Sequence, residues 1–183
     1  RGAPLDPARA LPLLTQAADR GDSLAAEMLG AATLAGTGTG RSVEAALKWY
    51  TRAAEMGRVN SQFVLGYLYS GAEGVTVNHN LAAYWFLRAA ENSHGMSMVA
   101  LASLLDKGSG FKASKVKACA IVRIALSKNL PEEIAAEMEQ QLAREESLLT
   151  PKQLQEIEAL EQRYSSGEGI SALHADLLDE TLQ

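Results

Sequence analysis

Ser109-Gly110-Phe111-Lys112 carries the Ser-x-x-Lys spacing of an acylating serine nucleophile. The Ser-Asp-Asn and Lys-Thr-Gly segments that accompany it in such enzymes are missing, and the four residues fall in a turn, so no acyl transfer is expected there. Gly36-Thr37-Gly38-Thr39-Gly40-Arg41-Ser42 has the glycine density of a loop whose backbone N–H groups cradle phosphate. It lacks the lysine that such a loop needs and follows a helix instead of a strand, which makes it an inter-helix turn. His79, His94 and His174 are dispersed with no metal-ligand spacing, and read as solvated surface residues. Cys119 is the only cysteine, with no partner for a disulfide or a metal cluster, and reads as a small packed residue. Trp49 and Trp85 invite a ligand-stacking reading, but their shared position within a repeat favours structural core. No catalytic, metal-binding or cofactor-binding residue is expected, because no nucleophile and base converge.

The elements that carry these residues belong to a chain of 183 residues with 47% apolar content, enough to bury a core. No run of about 18 uncharged apolar residues is present, and the first twenty positions hold three prolines and several charges, so neither direct membrane insertion nor a signal peptide is expected. The chain begins at Arg1 without a methionine, as a mature product or a piece of a longer protein would. Charge is unevenly divided. Residues 1–128 carry 14 Lys/Arg against 9 Asp/Glu, whereas 129–183 carry 3 against 13. The acidic total disfavours nucleic acid as a partner, and the asymmetry predicts that the tail lies against a basic surface, its own or a neighbour's.

Self-comparison decides the fold class. An offset of 36 brings Leu29 onto Leu65 and Leu101, Gly30 onto Gly66, Gly38 onto Gly74 and Gly110, and Trp49 onto Trp85. Arg52-Ala53-Ala54-Glu55 falls on Arg88-Ala89-Ala90-Glu91, and Ala10, Ala46, Ala82 and Ala118 form a column through four units. Each unit reads as a helix pair. Ser61 to Tyr69 has helical apolar spacing, Gly71–Gly74 breaks the chain where left-handed backbone is cheap, and Asn78 or Asn80 caps a second helix with Leu81, Ala82, Trp85, Phe86 and Ala89 on one stripe. The small residues at Gly30/Gly66, Ala53/Ala89 and Ala54/Ala90 should admit close helix approach, with Trp49 and Trp85 as the large fillers. One pair cannot bury this surface alone, and stacked pairs can.

At these positions the sequence resembles the Sel-one-like repeat family, a bacterial relative of the tetratricopeptide repeat. The second unit carries Leu65-Gly66, Tyr69, Gly71, Gly74-Val75, Ala82, Trp85-Phe86 and Ala89-Ala90-Glu91; the first carries Leu29-Gly30, Gly36, Gly38, Trp49-Tyr50, Ala53-Ala54-Glu55 and Gly57. The reading is a half-repeat at 1–22, repeats at 23–58 and 59–94, a degenerate repeat at 95–128 with Ala102 for the glycine and Ile121 for the tryptophan, and an acidic helical extension at 129–183. The resemblance implies an all-α fold, an α/α solenoid in a right-handed superhelix. It also implies a non-enzymatic scaffold or adaptor for a protein or peptide in bacterial signalling, secretion or envelope assembly, with periplasm or secretion slightly favoured over cytoplasm. The alternative is a cell-wall hydrolase or a peptidoglycan- or glycan-binding protein on the same scaffold. The chain lacks the cysteine pair of the disulfide-bridged branch of the family, so activities proposed there are not carried over.

In the related tetratricopeptide architecture the first helix of each pair lines the concave groove. Off-pattern residues of those helices are the expected partner contacts. They are Leu24, Glu27, Ala31 and Leu34 in the first; Asn60, Phe63, Tyr67 and Ser70 in the second; and Met96, Val99, Ser103 and Asp106 in the third. In the extension, helices are predicted from Pro131 to about Leu149 and from Thr150-Pro151 to about Tyr164. After the turn at 165–169, Ile170, Leu173, Leu177, Leu178 and Leu182 form one apolar face of a short docking helix, which is expected to cap its own chain or to cross into a second subunit as a route to self-association.

Overall fold

The computed structural model describes residues 7–166, 169–170 and 172–173. Its regular elements there are α1 (Pro7–Asp19), α2 (Ser23–Ala35), α3 (Val43–Glu55), α4 (Val59–Tyr69), a 3-10 turn (Ala72–Gly74), α5 (His79–Glu91), α6 (Gly95–Lys107), α7 (Lys115–Leu126), α8 (Glu132–Glu146) and α9 (Pro151–Ser165). There is no strand among the described residues, and the fold is an all-α helical-repeat solenoid. Of the two asparagines offered as the cap of α5, Asn78 does the work: its side chain accepts from the Leu81 N–H at 3.0 Å. Asp22 caps α2, Ser42 caps α3 and Ser114 caps α7 in the same way, each satisfying an N–H that the helix leaves orphaned. The column Gly38, Gly74 and Gly110 is left-handed at every position, with φ of 73°, 80° and 82°. A β-carbon there would strain the backbone, so the turn dictates the residue.

The chain divides into two compact units, Arg1–Val77 and Asn78–Gln183. In the first, α1 packs on α2, α2 on α3 and α3 on α4. Its core is built of small residues, Ala18, Ala25, Ala26 and Ala53 around Leu29, with Leu11, Leu14, Ala17 and Trp49 packed against them. The small residue Gly30 admits a ring rather than a backbone: a β-carbon there would stand 2.9 Å from two carbons of the Tyr50 ring. Tyr50 is therefore the buried filler of this unit, while Trp49 packs on the core partly buried instead of filling it. Trp49 is only half-buried, with the Arg52 guanidinium 5.7 Å from its ring centroid. Arg52 also reaches Asp19 of α1 at 2.9 Å.

In the second unit α5 packs on α6 and α6 on α7. Trp85 is buried here as expected, edge-on to Tyr84 with ring centroids 4.9 Å apart. Ile121, which stands in the tryptophan register of the third pair, is completely buried, so the degenerate residue keeps its core duty. The acidic extension turns back onto this unit. Helix α9 packs on α7 through Ile157, which is fully buried against Cys119 and Ala120, with Leu154 and Leu160 beside it. Its start is fixed by Thr150 and Gln153, whose side chain and backbone groups cap one another reciprocally. The basic surface anticipated for the tail is the chain's own α7. Arg123 donates to Glu146 of α8 at 2.7 Å and to Glu161 of α9 at 3.2 Å, and Lys115 reaches Glu145 at 3.0 Å.

Candidate functional site

The first helices of the pairs are α2, α4 and α6, and their off-pattern residues fall into columns with different exposures. Positions 31, 67 and 103 are exposed in all three, as Ala31, Tyr67 and Ser103. Leu24 and Asn60 are also exposed, with Met96 of the same column half-buried, while Glu27, Phe63 and Val99 are half-buried. Leu34 and Asp106 are half-buried and Ser70 is exposed. Within the first unit this leaves Leu24 at 49% and Tyr67 at 54% exposure, together with Met28 at 48%, one turn beyond Leu24. Met28 escaped the sequence reading, although helical periodicity places it on the Leu24 face.

Glu27 is not a free groove carboxylate. It accepts from Arg58 at 2.7 Å and from the Ser61 hydroxyl at 2.8 Å, tying α2 to the start of α4. Burial works against its charge, but the hydrogen bonds from Arg58 and Ser61 outweigh it and hold the carboxyl below the ordinary glutamate range. The signal missed in the sequence is Arg58 itself, thirty-one residues away and brought close only by the repeat.

In the second unit three of the expected groove residues, Val99, Ser103 and Asp106, line a cleft of about 360 Å³ walled by α6, α7 and α8. Its floor and sides are apolar, from Ala102, Ala118, Cys119, Val122, Met138 and Leu142. At the rim Lys115 bridges Asp106 at 2.5 Å and Glu145 at 3.0 Å, and the Asp106 hydrogen bond raises the lysine's pKa first, with Glu145 adding to it. Burial, then the nearby Glu146 and Glu145 charges, push the Cys119 thiol up, which keeps it protonated at neutral pH. Ile170 and Leu173 of the expected docking helix are buried, and Leu177, Leu178 and Leu182 lie outside the described residues.

The remaining candidates resolve into structure. Gly36 closes α2 in a left-handed C-cap, Ser42 opens α3, and Arg41 between them pairs with Glu73, so the phosphate-like stretch is a turn. Ser109 and Lys112 lie in the turn between α6 and α7. The expectation of solvated histidines is overturned for two of them, and His174 lies outside the described residues. His79 opens α5 half-buried, because Gly110 lets the neighbouring turn press against it. His94 is the N-cap of α6, accepting from the Ser97 N–H at 3.2 Å with the Ser97 hydroxyl 2.8 Å from the same nitrogen. Burial lowers its pKa. A base with a depressed folded pKa contributes stability that is present above its unfolded value of about 6.5 and is lost as pH falls through the folded value. Thermal melts at pH 7.5 and 5.5 should therefore show a drop in Tm on acidification that shrinks in His94→Asn, whose amide caps without titrating; equal drops in both chains would remove the cap from the account.

The Sel1 repeat model matches residues 1–22, 23–57 and 59–94. The chain belongs to the Sel1 repeat family. Among solved structures, a protective antigen present in uropathogenic Escherichia coli strains and displaying an SLR fold is 30% identical, over 85% of this chain and 32% of its own, with a TM-score of 0.72. This chain thus spans about a third of that antigen's length. A Sel1 repeat protein from Oxalobacter formigenes is 28% identical, over 72% of this chain and 98% of its own, with a TM-score of 0.63. No curated protein matches the chain in sequence.

Sel1 repeat proteins are in general non-catalytic scaffolds for protein–protein interaction. The matched Sel1 repeats stop at residue 94, yet the pair α6 and α7 keeps the helix-turn-helix form with Ala102 and Ile121 buried at the altered positions. No helix of the described chain is long and apolar enough to cross a membrane.

Proposed function

We propose that this Sel1 repeat chain is a non-enzymatic scaffold that binds a protein or peptide through the face formed by α2 and α4, the first helices of the pairs in its first unit. The observation that carries this reading is the exposed apolar set Leu24, Met28 and Tyr67 on α2 and α4. Large apolar side chains left in water on adjacent helices are the usual mark of a surface kept for a partner, and Tyr is among the residues that dominate such contacts. Phe63 belongs to the same face but is half-buried, so changing it also loosens packing. Leu24 and Tyr67 are the cleaner test. Once a partner has been recovered with the full-length parent protein, the double variant Leu24→Ala/Tyr67→Ala should bind it about tenfold or more weakly, with helicity unchanged. Unchanged affinity in a folded double variant would discard this face.

The terminal segment from Ile170 completes the scaffold as a cap on the second unit of its own chain, supported by the burial of Ile170 and Leu173. Deleting residues 168–183 should lower thermal stability at unchanged molecular mass. A dimer that becomes monomeric would assign the segment to exchange between subunits instead, and no change in either measurement would remove its docking role.

A further inference from the structure

Helix α8 is the least embedded helix of the second unit: none of its residues from Glu132 to Glu146 is buried, whereas α9 buries Ile157 and Tyr164. Under its middle lies the cleft of about 360 Å³, lined by Met138 and Leu142, of which Leu142 also packs, partly buried, against Cys119, Ala120 and Ile157. A helix committed to a core fills such volume, because lining atoms without neighbours forfeit their dispersion contacts.

Besides the Leu142 contact, ion pairs at one end hold α8. Lys115 and Arg123 of α7 engage Glu145 and Glu146. These two acids stand in the last turn of α8, where the negative end of the helix dipole disfavours them. Their placement makes sense as recognition of α7 cations and runs against the stability of α8 alone.

We propose that α8 is a displaceable, self-supplied occupant of the α6–α7 cleft. In its place the cleft takes an amphipathic helix from a partner protein, with two apolar residues one turn apart followed by an acidic pair, the pattern of Met138, Leu142, Glu145 and Glu146. The inference rests on the scaffold reading but uses a different unit and different residues. Helix α9 remains docked through Ile157 while α8 lifts, and α8, tethered at both ends, competes at the high local concentration of an intramolecular ligand.

Cys119, the only thiol of the chain, lies on the cleft floor and reports directly on this motion. In the unmodified protein a thiol reagent should label Cys119 at least tenfold faster than global unfolding allows; labelling that keeps pace with global unfolding would overturn the proposal. A fluorescein-labelled peptide of residues 131–149 should bind the full chain carrying Met138→Asp/Leu142→Asp at least tenfold more tightly than the unmodified chain, protect Cys119 from the reagent, and lose affinity when Lys115→Glu is added. No binding to that variant with its circular dichroism intact, or binding indifferent to Lys115, would equally overturn it. If the variant does not fold, the labelling rate of the unmodified chain decides. Should the cleft fail while Leu24 and Tyr67 are still required by the partner, the scaffold reading stands and this cleft alone is withdrawn.

Discussion

Trp85→Ala lowers the unfolding free energy by about 3–5 kcal/mol, the range for emptying a buried aromatic site. Trp85 is 8% exposed and stands in α5 among Ala82, Phe86 and Ala89, all buried. Cys119→Ala, by contrast, removes one sulfur from a site that already borders open cleft, and should cost much less. The comparison is best made by denaturant titration followed by circular dichroism. A neutral Trp85→Ala would break the 36-residue register on which the whole reading stands, because that register assigns the position to the core.

The repeat made most of the fold legible. Positions that recur at the 36-residue offset are those the backbone or the core dictates: left-handed glycines at 38, 74 and 110, and buried alanines at 46, 82 and 118. Such residues answer to local geometry, and a sequence displays them. What it concealed were interactions whose partners lie in different units of the pattern and obey no period. Glu27 looked like a groove residue because the repeat has no rule for its column; Arg58 and Ser61 give it a structural task. His94 looked like a surface histidine because histidine is rare as a helix cap, yet it occupies the register of Arg58, at the head of α6. The charge asymmetry of the extension was visible, but composition alone does not distinguish an internal docking surface from an external one. Lys115 and Arg123 settle the matter within the chain, through contacts with Glu145, Glu146 and Glu161.

Ile157→Ala is the test of that docking, with an expected loss of about 2–5 kcal/mol. Ile157 is fully buried and sits on Cys119 and Ala120 of α7, flanked by Leu154 and Leu160, which are only partly buried. A polar tie of α9 to α7 is Arg123 to Glu161, a partly exposed pair, and such pairs contribute little once solvent screens them. Apolar contact, with Ile157 fully buried, then carries more of the attachment than this pair. Ile157 lies in the second of the two compact units, and the tryptophans allow that unit to be read: Trp49 lies in the first and Trp85 in the second. A chain carrying Trp49→Phe reports the second unit by the fluorescence of Trp85. In that background Ile157→Ala should shift the Trp85 transition to lower denaturant and speed thiol labelling of Cys119, which Ile157 covers. Glu158→Ala, exposed on the next position of the same helix, should move the transition by no more than about 0.5 kcal/mol. A Trp85 transition that ignores Ile157, with Cys119 still protected, would mean that α9 does not pack on α7 and that the acidic extension serves some purpose other than closing the last helix pair.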